Sequence, residues 1–499
     1  MKLTVNGDIS EYYVQMLCLL YFPCEKFSKT AEAAENDVPE AVVSLSDDVE
    51  GAYARVTLNY KGKTETAEWR EQFSEERTIE KTRKIACGKA FFEAGKQMFK
   101  ISPAWGIMTG VRPAKLAFTY FDHGLTPAKV RKAFASEYLV HPKKAALVTE
   151  IAQNEMKLLK NFDKRSCSLY ISLPFCPSRC DYCSFVSYSS KKLLGLIDEY
   201  VARICDDIVY NLNLIKSLDL KLLTIYIGGG TPTTLSVEQL DKLLDCICKN
   251  TDVSKLEEFT LEAGRPDTIT AEKLKTAEQH GVTRICINTQ TLNDEVLYDI
   301  GRRHTAKDYF TAFEIARKSG IKTINTDLIA GLPGEGFQSF SQSIDAVIAL
   351  RPENLTFHTL ALKNASEFAQ NKAAISKKVY SDTAKSVDYS QLNAKNSGYI
   401  PYYIYRQKNT VSNLENVGFS LPGYEGRYNI YMMEELHSIF SAGAGAVTKM
   451  VSEDRKTIRR IFEYKYPFEF LKNNDPDYYK EREKAIIDFY EYQFNAKRS

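Results

Sequence analysis

Residues 170–185 read YISLPFCPSRCDYCSF, an apolar strand running straight into three cysteines spaced C-x3-C-x2-C. With 11 cysteines in 499 residues, chance yields this spacing roughly 0.005 times per chain, so Cys176, Cys180 and Cys183 are read as a set. Three thiolates on one tight loop can converge on a metal centre, and sulfur donors favour zinc or an iron–sulfur cluster. A closed structural zinc site takes four ligands, usually in paired short spacings, and no Cys or His near this loop completes such a set. A [4Fe–4S] cluster on three cysteines instead leaves one iron open to a further ligand.

Outward from this loop, residues 168–361 alternate short apolar strands with amphipathic stretches of helix length: YISL, TIYIG, FTLEA, RICIN, INTDLI and NLTFHTL. Six β/α units in succession imply right-handed βαβ crossovers and a parallel sheet. The fold class is therefore α/β, a partial (β/α)6 barrel over 166–362 that stops short of the closed eight-unit form and stays open on one side. Chemistry in such a barrel belongs on the loops at the C-terminal ends of the strands.

Residues 1–165 read as a separate N-terminal α+β domain of unknown role. AYARVTLNY (52–60) alternates as a strand, KGK turns the chain, TETAEW continues as a second strand, and a charged helix spans about 73–98. WGIMTGVRPAKL (105–116) is an ordered loop. Residues 363–499 read as a mixed α/β cap, with a helix near 381–396, the strand YYIYR (402–406) and the glycine-rich GAGAVTK (443–449).

Lys and Arg number 66 against 64 Asp and Glu, a formal charge of +2 that supplies no field to attract nucleic acid or an acidic membrane. The apolar patch at 14–22 is preceded by Asp8 and Glu11 and followed by no small-residue cleavage site, so it reads as a buried strand or helix, not a signal sequence. No run approaches the roughly 20 apolar residues a spanning helix needs. A cytoplasmic protein is expected, and cytosolic thiols stay reduced, so no disulfide framework is expected. Cys18, Cys24, Cys87, Cys205, Cys246, Cys248 and Cys286 read as small buried hydrophobes.

Tyr182, just before the last loop cysteine, makes the motif resemble the hallmark of the radical S-adenosylmethionine (SAM) superfamily. Tyr170, Pro174 and Phe175 fit the Y-x-x-x-P-F-C lead-in of the oxygen-independent coproporphyrinogen dehydrogenase family. Motif order over 165–450 is most similar to its long HemZ branch. The resemblance implies that Cys176, Cys180 and Cys183 hold a [4Fe–4S] cluster with SAM on the fourth iron, and that one or two SAM molecules bind. It also implies that Gly229, Gly230 and Thr231 of IGGGTPTTL (227–235) hold the amino group of SAM. Glu262, Gln290, Arg302, Asp327, Ala361 and Tyr170 match the family's other SAM contacts. The residue types suit these roles, since carboxylates accept from amines and hydroxyls, Arg302 offers a fork for a carboxylate, and Ala361 would meet adenine through its backbone.

The activity implied is oxidative decarboxylation of two propionates of coproporphyrinogen III to vinyl groups, giving protoporphyrinogen IX. A small protein such as flavodoxin or ferredoxin would supply electrons to a monomer. Arg265, Arg302, Arg303, Lys363, Arg406 and Arg427 are candidate partners for propionates, none of them assigned. Three departures bear on the substrate. Ser172 stands where many relatives carry His, Ser184-Phe185 follows the last cysteine where one branch has a further cysteine, and Tyr428 to Met433 replace an H-N-x-x-Y-W element of haem-chaperone relatives. Two other readings remain open: a haem-binding chaperone of the HemW type and a radical SAM haem-degrading methyltransferase.

Overall fold

In the computed structural model, which describes residues 1–23, 25–27, 38–183, 185, 187–362, 377–473 and 476–495, the alternating stretch at 52–60 is a central strand. Cys24, Ser184 and Lys363 lie outside the described residues. The chain divides into two compact units. The first comprises Met1–Gln153, Ala361–Lys363 and Ile404–Glu415. Its sheet runs β1 (Lys2–Asn6), β2 (Glu40–Asp47), β3 (Gly51–Tyr60), β4 (Lys63–Gln72), with β1 parallel to β2 and the remaining pairs antiparallel.

The patch at 14–22 is a helix, Glu11–Tyr21, because Ser10 caps it and Val14, Leu17, Cys18 and Tyr21 fall on one face at helical spacing. That face joins a single core with Cys87, Ala90, Phe91 and Ala94 of the helix Ile79–Phe99. The latter starts later than the charge pattern implies, since the Thr78 hydroxyl accepts from Lys81 N–H and fixes the first turn there. In the 105–116 loop Trp105 is fully buried and its indole N–H donates to Glu415 Oε2 at 2.7 Å, while Lys144 Nζ holds Glu415 Oε1 at 2.7 Å.

The second unit, Asn154–Leu360, Asn364–Tyr403 and Asn416–Ser499, carries the barrel strands. These are β5 (Ser166–Leu173), β6 (Lys221–Gly229), β7 (Glu258–Glu262), β8 (Arg284–Cys286), β9 (Thr323–Ala330) and β10 (Asn354–Thr359). All six pair in parallel in chain order, as expected for the partial barrel. Helices Ile197–Ser217, Val237–Asn250, Ala271–Gln279, Ala306–Lys318 and Phe337–Ala349 alternate with them. Burial on both faces explains why the strands read as near-continuous apolar runs. In Val237–Asn250 the Ser236–Gln239 capping box starts the helix, and Leu240, Leu243, Leu244 and Ile247 form the buried stripe.

Later residues extend this sheet at both edges. With β11 (Ile400–Arg406), β12 (Glu415–Ser420), β13 (Ser438–Ala442), β14 (Val447–Val451) and β15 (Ile458–Phe462), the order becomes β11-β12-β10-β9-β8-β7-β6-β5-β13-β14-β15. β12 is antiparallel to β10 and β13 parallel to β5. Of the remaining described cysteines, Cys18, Cys87, Cys167 and Cys286 are buried, whereas Cys205, Cys246 and Cys248 are half-buried. The two groups differ because Cys205 and Cys246 meet at the margin of two helices, where the Cys246 thiol donates to Cys205 O at 3.6 Å. No helix among the described residues is long and apolar enough to cross a membrane.

Arg482, on the helix Pro476–Asn495, lies buried between Asp207 (3.2 Å) and Glu463 (2.8 Å) and donates to Ser441 O at 2.7 Å. One cation thus joins the first barrel helix to the strands that follow the barrel. Arg482→Met would leave two buried carboxylates without their partner, and loss of one member of a buried pair costs about 3–5 kcal/mol. A urea titration is expected to show that loss; a midpoint shift worth under about 1 kcal/mol would remove the ion pair from any role in holding the unit together.

Candidate active site

β5 is buried up to Leu173, and the cysteine loop leaves from its C-terminal end. Backbone hydrogen bonds fix the loop on both sides. Cys176 N–H donates to Tyr188 O at 3.0 Å, Tyr188 N–H to Pro174 O at 2.9 Å, and Cys183 N–H to Cys180 O at 2.9 Å. From the end of β6, Gly230 N–H reaches Leu173 O at 2.8 Å and Thr231 N–H reaches Phe175 O at 2.7 Å. A Cβ on Gly230 would stand 2.4 Å from Phe175 O, so the glycine run is required by the loop packed against it. That approach brings the Thr231 hydroxyl to 3.4 Å from Cys176 Sγ.

Burial raises the Cys176 thiol to about 11, with the Thr231 hydroxyl opposing and Cys183 and Cys180 adding to the rise. Burial likewise raises Cys183, and Cys180 contributes there too. Cys176 thus feels both other thiols, and Cys183 feels Cys180. Among the described residues no three His, Cys, Asp or Glu side chains gather around a point that one metal ion would fill. Two buried guanidinium groups stand beside Cys180. Arg265 Nη1 lies 3.9 Å from its sulfur, donates to Ser178 Oγ at 2.9 Å, and grips Asp267 with two bonds of 2.9 Å. Arg302 donates to Tyr182 Oη at 3.1 Å, to Gly264 O at 3.1 Å and to Asn288 O. Positive charge next to a sulfur favours the thiolate that a metal requires.

The other strand-end residues fall into two groups. Tyr226 on β6 donates to Glu262 at the end of β7, and its ring joins a stack with Tyr170 (6.1 Å) and Tyr428 (4.5 Å). On β9, Asp327 accepts from Asn325 Nδ2 at 2.7 Å and faces His358 Nε2 at 3.4 Å. Gln290 joins this second group through its backbone, donating to Asp327 O at 3.0 Å and accepting from Ile329 N–H at 2.9 Å. It does so at φ 71°, a left-handed conformation uncommon for a side chain of its size, and its buried Oε1 has no partner. Asn288 connects the second group to Arg302 and so to the loop, since its side chain accepts from Asp327 N–H at 3.2 Å and its carbonyl from Arg302.

Arg302 is buried and Arg303 exposed, which separates two neighbours that the sequence leaves ambiguous. Ala361 follows β10 and bridges to Thr410. Of the candidate propionate partners, Arg265 and Arg302 are spent bracing the loop, Arg406 is buried with its guanidinium bonded to Met108 O and Asn413 Oδ1, and Arg427 is half-buried. Sequence reading missed Tyr226, Asn288, His304 and His358. His304, next to Arg302 in GRRH, has both ring nitrogens buried without a partner, and burial, aided by Arg302, lowers its pKa to about 3. The signal available for Tyr226 and His358 was their place on strands whose ends already carried motifs.

A family model described as the Radical SAM superfamily matches residues 170–347. The chain is 38% identical over 385 residues to the oxygen-independent coproporphyrinogen-III oxidase-like protein HemZ of Bacillus subtilis, covering 77% of this chain and 75% of that protein. It is 40% identical over 202 residues to the heme chaperone HemW of Bacillus subtilis, covering 40% of this chain and 52% of that protein. Among solved structures, coproporphyrinogen III oxidase (HemN) from Escherichia coli, described as a radical SAM enzyme, is matched at 21% identity with a TM-score of 0.47, over 59% of this chain and 67% of that one.

Burial raises Glu262 from 4.5 to about 7, with Tyr226 opposing the rise and Asp327 adding to it. Between those values the unfolded chain ionises this carboxyl while the folded chain keeps its proton, so its contribution to stability falls as pH rises through the window. Below 4.5 both states hold the proton and the contribution is level. Melting temperatures of the ligand-free protein and its Glu262→Gln variant are therefore expected to change relative to one another from about pH 5 to about pH 7.5, the variant gaining as pH rises. A constant difference across that range would refute the raised pKa.

Proposed function

We propose that this chain, which belongs to the radical SAM superfamily and within it to the family of HemZ, oxidises coproporphyrinogen III to protoporphyrinogen IX without oxygen. Two propionates become vinyl groups with release of carbon dioxide. The observation that carries the reading is the 38% identity to a coproporphyrinogen-III oxidase-like protein over three quarters of both chains.

In this reading Cys176, Cys180 and Cys183 hold a [4Fe–4S] cluster, and Gly229, Gly230, Thr231, Glu262, Gln290, Arg302, Asp327, Ala361 and Tyr170 hold SAM. Several features fit such occupants. Three thiols electrostatically coupled on one loop suit three irons, and the guanidinium groups of Arg265 and Arg302 offset the charge of thiolates and sulfides. The unpartnered Gln290 Oε1 is an acceptor awaiting an amine or hydroxyl. When bound, cluster and SAM supply one-electron chemistry able to remove hydrogen from an unactivated carbon. The chain's own contribution is placement. Arg302 holds Tyr182 and two strand-end carbonyls in one clamp, Thr231 hydrogen-bonds the Cys176 sulfur, and the stacked rings of Tyr170, Tyr226 and Tyr428 form an apolar wall. A small protein such as flavodoxin or ferredoxin supplies the electron.

The 40% identity to a heme chaperone over 202 residues favours one second reading, binding and delivery of haem without turnover. Products separate the two. Anaerobically reconstituted protein given SAM, reductant and coproporphyrinogen III is expected to form mono-vinyl and divinyl products by mass spectrometry. Absence of any vinyl product, together with stoichiometric haem binding, would replace the enzyme with the chaperone.

The ligand set has its own test. Cys180→Ala leaves two thiolates for the cluster and is expected to abolish the reducible iron–sulfur absorption and electron paramagnetic resonance signal. A wild-type spectrum from that variant would overturn the assignment of Cys180.

A further inference from the structure

Cys205, on the helix Ile197–Ser217, and Cys246, on the helix Val237–Asn250, meet between the first two helices of the barrel. Cys246 Sγ lies 3.6 Å from Cys205 O, and the two thiol groups also bond to one another. Side chains aimed at each other from neighbouring helices meet the first requirement of a disulfide. Both residues are half-buried, so the pair keeps part of its surface in solvent. Other thiols away from the cysteine loop lack one of these properties. Cys18 and Cys87 share the core of the first unit but are fully buried. Cys248, two residues beyond Cys246, projects from another side of the same helix and donates to His280 O at 3.3 Å.

Contact brings thiols together, but it is the thiolate that reacts. The bond from the Cys205 thiol favours the ionised form of Cys246 and lowers its pKa, against burial and the carboxylates of Asp206 and Asp245, with Lys249 assisting. The same bond is the first cause of a rise at Cys205, to which burial adds. One sulfur is thus disposed to attack, while its neighbour holds a proton. Among the described residues no three His, Cys, Asp or Glu side chains gather as metal ligands, so the two sulfurs belong to no larger set.

We propose that Cys205 and Cys246 form a redox-active dithiol that exchanges with low-molecular-weight disulfides and closes to an intramolecular disulfide. The Cys246 thiolate attacks one sulfur of the small disulfide RS–SR, forms a mixed disulfide with it and releases RS⁻. Cys205 then gives its proton to solvent and attacks the Cys246 sulfur, which forms the Cys205–Cys246 bond and releases the second RS⁻. Both leaving groups take up protons, so the protein loses two hydrogens and two electrons and RS–SR becomes two RSH. The closed loop contains β6 and Gly229 to Thr231, the strand end that packs on the cysteine loop. Oxidation therefore fastens the two helices on either side of that strand, and reduction releases them. The pair stands independently of the coproporphyrinogen reading.

The full-length protein with its cluster reconstituted can be incubated without oxygen with oxidised glutathione, its free thiols blocked with N-ethylmaleimide, and its tryptic peptides weighed by mass spectrometry. Ile204–Lys216 is expected joined to Leu243–Lys249, two hydrogens lighter than the separate peptides and parted again by dithiothreitol. Because the second peptide also carries Cys248, Cys248→Ser identifies the sulfur and is expected to link as fully as the wild type. Cys246→Ser is expected to lose the link. Cys205→Ser, whose hydroxyl can still donate to the Cys246 sulfur, is expected to stop at the mixed disulfide with one glutathione on Cys246. No linked pair in the wild type, a link that persists in Cys246→Ser, or a link lost in Cys248→Ser would overturn the dithiol, and a Cys205→Ser protein free of glutathione on Cys246 would overturn Cys246 as the attacking sulfur.

Discussion

The end of β6 lies so close to the cysteine loop that position 230 has no space for a side chain, and the rest of the site depends on that approach. Two backbone bonds, from Gly230 and Thr231 to Leu173 and Phe175, make the loop an extension of the sheet. A second turn closes on the same strand end from the other side. Gly443 sits where a Cβ would meet Ser172 O at 2.6 Å, the Ser172 hydroxyl donates to Ala444 O at 2.8 Å, and Tyr200 donates to Ser172 O while accepting from Ala444 N–H. The first barrel strand is thereby held by its neighbour in sequence order and by a turn more than 270 residues later.

Charges near the loop are placed inside this frame, not at its surface. Arg265 and Arg302 are buried, and each guanidinium is matched by protein acceptors: Asp267 and Ser178 for one, Asn288 and Gly264 carbonyls for the other. A charge can stay buried only when hydrogen-bonded in this way. The consequence is rigidity, because moving either arginine would strand a charge in an apolar setting.

The barrel was legible from sequence because parallel strands buried on both faces leave apolar runs that only a βαβ succession explains, and all six strands lie where YISL, TIYIG, FTLEA, RICIN, INTDLI and NLTFHTL put them. The cysteine loop was legible because its spacing is local. What stayed hidden depends on distant partners. Ser172 looks in the sequence like a departure from the family's lead-in, yet its hydroxyl anchors the GAGA turn. Arg265 in AGRPD carries no periodic signal that would place it beside Cys180, and Tyr428 reaches the Tyr170–Tyr226 stack from a helix of seven residues whose own pattern names no partner. The joining of β12 and β13 to opposite edges of the barrel sheet follows from pairing between segments that are far apart in the chain, which no local propensity encodes.

Two carboxylates at neighbouring strand ends show how the frame sets chemistry. Burial dominates at Glu262, whose one side-chain hydrogen bond, from Tyr226, does not offset it, and the carboxyl is raised to about 7. Burial acts on Asp327 too, but bonds from His358, Asn325 and Thr356 outweigh it and hold the pKa below the ordinary value. The charge kept on Asp327 also adds to the rise at Glu262. Environments that push two acids apart give them different work at one pH. Near neutrality Asp327 is a fixed anion that only accepts hydrogen bonds, whereas Glu262 sits at its midpoint and can accept or donate. A ligand cation or amine at that end of the sheet would therefore draw the proton from Glu262 first, and the Tyr226 hydroxyl bonded to it would report the change.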